Sequence, residues 1–192
     1  MKKIRIGVFG ASRGNEIIEI ARRNGEAEIV AVCDKEQNVL DKFKKEKITL
    51  YKDFDLFINH EMDAVILANY ANEHAPYAIK CLKKGLHVMS EVLPFASLKE
   101  AVELVETVEK TKLIYSYAEN YCYMPASFEM KKVYSRGEIG ELEYAEGEYI
   151  HNCEAIWPSI TCGDPNHWRN NKSANFYCTH SIGPILFATG LR

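Results

Sequence analysis

No apolar stretch of this 192-residue chain approaches the roughly 20 residues a helix needs to cross a bilayer. The basic start, Met1-Lys2-Lys3, is followed by an apolar run too short for a secretory signal, which points to a cytoplasmic protein. There is no excess of one charge: the formal net charge is −3 and the pI is near 6.1. That removes the electrostatic case for nucleic acid or an anionic membrane as partner. None of the six cysteines (33, 81, 122, 153, 162, 178) belongs to a C-x-x-C pair, and most sit in apolar runs. Buried free thiols in a reducing compartment are the simplest reading. His151, Cys153, Cys162, His167, Cys178 and His180 are dense enough to raise zinc, but structural zinc sites bring ligands in close pairs such as C-x-x-C. His151-x-Cys153 and Cys178-x-His180 match that poorly, so no metal is expected. Internal repeats and low-complexity segments are absent. What remains is an ordinary globular composition, 47% hydrophobic and 27% charged, with a length suited to one domain and part of another.

The first 34 residues carry the strongest signal. The run Ile4-Arg5-Ile6-Gly7-Val8-Phe9 breaks into Gly10-Ala11-Ser12-Arg13-Gly14, a helical stretch follows, and Ile29-Val30-Ala31-Val32-Cys33 stops on Asp34. A strand, a glycine turn, a helix and a strand ending in a carboxylate suit a dinucleotide. Backbone N–H groups at the turn meet the pyrophosphate and the acid accepts from a ribose. The loop departs from G-x-G-x-x-G, with Ser12 at the second glycine and the third displaced to Gly14. Gly10, Ser12, Arg13, Gly14 and Asp34 are the candidate cofactor contacts. Asp34 without a neighbouring arginine favours NAD over NADP, while Arg13 and Lys35 keep NADP open.

Alternation continues downstream. Strands are predicted at 3–9, 28–33, 48–51, 63–68, 86–90 and 113–117, and helices at 14–24, 36–46, 53–59, 73–84 and 97–111. Ser97 followed by Glu100 is a capping box, and Ala101, Leu104, Val105 and Val108 repeat at helical spacing. Nearly continuous apolar runs at 63–68 and 86–90 suit parallel strands buried on both faces. The fold class is therefore α/β: a Rossmann doubly wound parallel sheet over 1–120, plus the beginning of a second α/β domain over 121–192. In that second part a helix is expected at 125–137 and a half-wet strand at 141–151. A loop-like stretch follows at 152–175, then a helix at 178–189. An unprotected edge at 141–151 would favour homo-oligomerisation.

The run Gly85-Leu86-His87-Val88-Met89-Ser90-Glu91-Val92-Leu93-Pro94 resembles the G-K-H-V-x-x-E-K-P signature of the glucose–fructose oxidoreductase/inositol dehydrogenase (Gfo/Idh/MocA) family. Asn72-Glu73-His74 is similar to its N-x-x-H neighbourhood, and Gly137-Glu138-Ile139-Gly140-Glu141 to its linker into the second domain. Tyr177-Cys178-Thr179-His180-Ser181-Ile182-Gly183-Pro184 resembles the Y-x-T-H-x-x-G-P segment of one branch. The resemblance covers essentially the whole chain. It implies a second domain built on an open antiparallel sheet, and oxidation of sugars, cyclitols or related polyols with NAD or NADP. It also implies that the chain ends inside the second domain.

By that resemblance His180 is the base for a hydroxyl proton, and histidine has a suitable intrinsic pKa. The family's aspartate four residues earlier is Phe176 here, so Tyr177, Asp164 or a substrate hydroxyl are the expected partners. Glu91 holds the family's glutamate position as a catalytic and cofactor-binding candidate, and with Pro94 it equally suits a plain strand-end turn. The lysine that follows in the family is Val92. His74 is expected near the nicotinamide. Tyr149, His151, Trp168 and Arg169 have the stacking faces and forked donors of a sugar site. Three functions follow: an NAD-dependent polyol oxidoreductase; an NAD-dependent glycosidase, for which the missing lysine and the Thr179–Pro184 run speak; and a catalytically silent nucleotide-binding protein.

Overall fold

The computed structural model describes residues 2–191. Two compact units divide between Ala118 and Glu119. The first is a six-stranded, wholly parallel sheet in the order β3-β2-β1-β4-β5-β6. Its strands are β1 (Ile4–Phe9), β2 (Ala27–Cys33), β3 (Thr49–Tyr51), β4 (Ala64–Leu67), β5 (His87–Ser90) and β6 (Tyr115–Tyr117). Helices α1 (Ala11–Asn24), α2 (Gln37–Leu40), α3 (Phe54–Phe57), α4 (His74–Lys83) and α5 (Leu98–Thr111) cover its faces. Strand order reverses between β1 and β4, the switch point at which such sheets bind ligands beyond their carboxyl ends.

The apolar runs form strands because both faces are covered. Val8, Val32 and Ile66 point into a cluster with Ala11, Ile18, Leu40 and Phe43, while Phe9, Cys33, Val65 and Leu67 point into one with Phe54, Phe57, Ala78 and Leu104. Alternate residues thus enter opposite cores, and a polar residue on either face would be buried without a partner. Ring contacts tie Phe9, Phe54 and Tyr77 together, with centroids 4.4–4.9 Å apart.

Two predicted helices change. The first begins at Ala11, three residues early, because the turn is completed by Gly10 alone. The stretch at 36–46 collapses to α2 and a 3₁₀ turn at Asp41–Phe43. Only Val39, Leu40 and Phe43 bury there, and the lysine-rich remainder offers no further stripe for the core. The capping box at α5 forms: Ser97 accepts from the Glu100 N–H at 3.3 Å. The Glu100 carboxylate reaches one residue beyond the cap, to the Ala96 N–H at 2.7 Å.

In the second unit α6 (Pro125–Ser135) and α8 (Thr179–Thr189) pack together, with α7 (Trp157–Ile160) and 3₁₀ turns at Asn120–Tyr123, Trp168–Asn171 and Ala174–Tyr177. The expected strand at 141–151 is not formed, and no residue of this unit among those described lies in a strand. An alternating pattern specifies which face would be wet, but a strand needs a neighbour to take its N–H and C=O groups, and no partner strand is present among the described residues. The edge-strand argument for self-association loses its basis with it.

Candidate functional site

At the end of β1, Gly10 turns the chain with φ +87°, and its N–H donates to the Cys33 carbonyl at 2.9 Å. A Cβ on Gly10 would lie 2.4 Å from the Ala68 carbonyl carbon and the Asn69 nitrogen, so only glycine lets β1 pass this close to the end of β4. Gly10, the N-cap of α1, has no side chain to cap the helix that begins at the next residue, so beyond the Ala11 N–H the first turn presents its donors as an anion-binding end. Asp34, 8% exposed, lies beside it. Its Oδ2 accepts from the Ala11 N–H at 2.8 Å and its Oδ1 from the Glu36 N–H at 2.9 Å. Each oxygen keeps a second lone pair. A helix N-terminus with a glycine N-cap, a turn no other residue can replace and an adjacent carboxylate fit a dinucleotide's diphosphate and ribose. Ser12 and Gly14 lie in that first turn, so five of the predicted cofactor residues meet at one strand-end cluster.

The structure joins a sixth to it. Arg13 leaves this turn and pairs with Glu91 Oε1 at 3.2 Å, as well as with Glu16 at 2.8 Å. Glu91 follows β5, its side chain 14% exposed and its N–H donating to the Leu67 carbonyl at 2.9 Å. His74, expected near the nicotinamide, is a buried ring between two loops. It is 1% exposed, with Nδ1 2.7 Å from the Leu93 carbonyl and Nε2 3.2 Å from the Asn69 carbonyl. Its ring clasps the loop after β4 to the loop after β5. Burial pushes its pKa down, against the pull of the Leu93 and Asn69 carbonyls.

In the second unit, His180 opens α8 and is 7% exposed. Its side-chain hydrogen-bond partner is a carboxylate from far along the chain. His180 Nδ1 lies 2.5 Å from Glu119 Oε1, a residue 61 positions earlier. Asp164 instead caps the Asn166 N–H, and Tyr177 offers its ring edge at 5.1 Å. A carboxylate oxygen accepts, so Nδ1 carries the proton and Nε2 keeps its lone pair, the tautomer a general base requires. Glu119 Oε1 also accepts from the Tyr121 N–H at 3.1 Å, while the buried Oε2 has no hydrogen-bond partner among the described residues. Tyr121 stacks on the imidazole at 4.3 Å and Tyr149 meets it edge-on at 4.6 Å. Burial pushes the Tyr149 phenol up to about 12, with Tyr121 adding to it. Gly183, one turn along α8, makes room: a Cβ there would sit 3.0 Å from Glu119 Cγ and 3.1 Å from Cys122 Sγ.

Of the four sugar-site candidates, Tyr149 touches His180 and His151 touches Tyr149 at 4.5 Å, while Arg169 lies over the Trp168 ring at 4.5 Å. Glu119 and Tyr121 went unseen. The one sequence signal for Glu119 was a lone acid following the apolar Ile114–Ala118 stretch, where nothing obliges a carboxylate. Among the described residues, no helix is long and apolar enough to cross a membrane.

Comparison with known proteins agrees with this fold. The chain is 29% identical to "Glycosyl hydrolase family 109 protein 1" of Shewanella sp. (strain ANA-3) and 28% identical to an alpha-N-acetylgalactosaminidase of Shewanella oneidensis. Each match covers 96% of this chain but 44% of the relative, so the chain spans less than half the length of these curated relatives. Scyllo-inositol dehydrogenase from Lactobacillus casei, solved with NAD(H) and scyllo-inositol, shares the fold with a TM-score of 0.81 at 21% identity. That match covers 98% of this chain and 57% of the dehydrogenase. Myo-inositol 2-dehydrogenase from Lactobacillus plantarum has a TM-score of 0.79 at 21% identity, over 98% and 57% of the two chains. Residues 4–119 match the model of the Gfo/Idh/MocA oxidoreductase family, NAD-binding Rossmann fold. The chain belongs to that family, and its first unit is the family's NAD-binding Rossmann fold.

Proposed function

We propose that this chain serves an NAD-dependent oxidoreductase acting on a sugar or cyclitol-like polyol, with His180 as the base and Glu119 as the residue that positions it. The 2.5 Å contact between two buried side chains, His180 and Glu119, carries the reading. Bound nicotinamide supplies hydride acceptance. Gly10, Ser12 and Gly14 offer the backbone that holds its diphosphate, Arg13 the cation, and Asp34 the acceptor for a ribose hydroxyl. His180 Nε2 takes the proton of the substrate hydroxyl, and Glu119 Oε1 steadies the imidazolium that results. The unmet Oε2 of Glu119 accepts from a second substrate hydroxyl, and Tyr149 gives the sugar a stacking face.

A second reading has its own support. The curated relatives matched over 96% of the chain are glycosyl hydrolases, and Val92 stands where the family's lysine is. In that case the cofactor is recycled within each turnover. Absorbance of NADH separates the two. Steady growth with inositols or aldoses supports the oxidoreductase. Cleavage of an aryl α-N-acetylgalactosaminide without net NADH replaces it with the glycosidase. Calorimetry that finds no NAD binding overturns both, and binding without turnover of either substrate leaves a silent nucleotide-binding protein.

A further inference from the structure

We infer that the Arg13–Glu91 ion pair is a latch across the dinucleotide crevice, opened when a diphosphate takes Arg13 from Glu91. The inference rests on the NAD-binding reading of the first unit and adds to it a competition between ligand and protein for one guanidinium. Arg13 lies in the first turn of α1, directly after β1, and Glu91 directly follows β5. In the sheet order, β4 lies between β1 and β5. The pair therefore runs over the carboxyl end of β4, beside the switch point at which the nucleotide of such a fold crosses.

The two ends of the bridge are unequal. The Arg13 side chain is 53% exposed and Glu91 14% exposed. Glu91 is anchored through its own N–H to the Leu67 carbonyl, whereas Arg13 is a long side chain shared with Glu16 on its own helix. The arginine is thus the member that moves. A guanidinium in the first turn of a helix binds a diphosphate through paired N–H donors in the field of the helix N-terminus, a stronger acceptor than one oxygen of a carboxylate at 3.2 Å. Its transfer leaves the Glu91 carboxylate unpaired beside the route of the remaining half of the dinucleotide. Occupancy of the phosphate turn then presents an acceptor at the β5 end only when the cofactor is in place.

Calorimetry with ADP, which carries the diphosphate and lacks the nicotinamide, tests this. Glu91→Gln removes the carboxylate that competes with the ligand for Arg13, so ADP binds about two- to five-fold tighter than to the unaltered chain. Arg13→Ala weakens ADP about tenfold or more. In the Arg13→Ala background, Glu91→Gln changes nothing, because its effect travels through the guanidinium. A Glu91→Gln gain that persists without Arg13 overturns the latch, since the carboxylate then acts only by its field. No gain in the single variant overturns it as well. In both cases the unaltered chain still binds ADP and NAD, and the cofactor site stands. An unaltered chain that binds neither ligand removes the site and the latch together.

Discussion

The two units hold their functional side chains by different means. In the first, position comes from the backbone. Asp34 is where it is because β2 ends there, Gly10 because β1 must pass the end of β4, and Glu91 because β5 stops one residue before it. In the second, position comes from side chains meeting across 61 residues, Glu119 against His180, with Tyr121 and Tyr149 packed on the imidazole. A strand-end site tolerates changes of neighbouring side chains provided the sheet stands. A site made of mutual contacts fails one contact at a time. That contrast gives the two units different mutational signatures.

The largest effect falls on the contact site. His180→Ala and Glu119→Gln should each lower turnover about 10²–10⁴-fold, the range for losing a positioned general base. They should do so with NAD affinity unchanged in calorimetry. Glu119→Gln has a signature of its own. An amide can donate to Nδ1 and favour the wrong tautomer, so kcat should fall with KM and Tm little changed, as a merely structural loss would not do. If NAD binding fell in parallel with turnover, the two sites would not be separable in this way.

The backbone site should break by unfolding. Gly10→Ala forces a Cβ to 2.4 Å from the Ala68 and Asn69 backbone at a φ of +87°. Left-handed strain and overpacking together cost about 2–5 kcal/mol. For a chain of this length that lowers Tm by about 5–15 °C, and NAD binding is lost with the fold. Gly183→Ala should be milder, because its Cβ would meet the ends of side chains, Glu119 Cγ at 3.0 Å and Cys122 Sγ at 3.1 Å. A cost of about 1–3 kcal/mol is expected in thermal denaturation, with kcat reduced as Glu119 is pushed aside.

The same contrast governs what could be read from the sequence. Periodicity of apolar residues marks which segments are strands, so β1 to β6 fall within a residue or two of the predicted ranges. Gly10 and Asp34 were legible because their positions are properties of strand ends. Glu119 was not, because a contact between residues 61 apart leaves no mark in local pattern. Phe176 stands four residues before His180, and the carboxylate comes from Glu119 instead. The 141–151 stretch failed for a related reason. Alternation states how a strand would sit in a sheet, and says nothing of whether a neighbour exists to pair with it.

The smallest effect falls on His74. His180 faces a carboxylate, whereas His74 faces two carbonyls in an apolar setting, and burial holds its pKa below the ordinary 6.5. His60 and His167 are shifted the same way, by burial first and then by Arg5 and Arg169. A histidine lowered on folding is protonated first in the unfolded chain. As pH falls through 6.5 the unfolded state binds more protons than the native one, and stability declines until the folded pKa is passed; above 6.5 the contribution is constant. Tm should therefore fall between pH 7.5 and 5.5. Part of that slope should vanish in His74→Gln, which keeps a side-chain donor for one carbonyl but does not titrate. An unaltered slope in His74→Gln would mean that the Leu93 and Asn69 carbonyls hold a proton on His74 as well as water does, and the strand-end clasp would then be an ionic one.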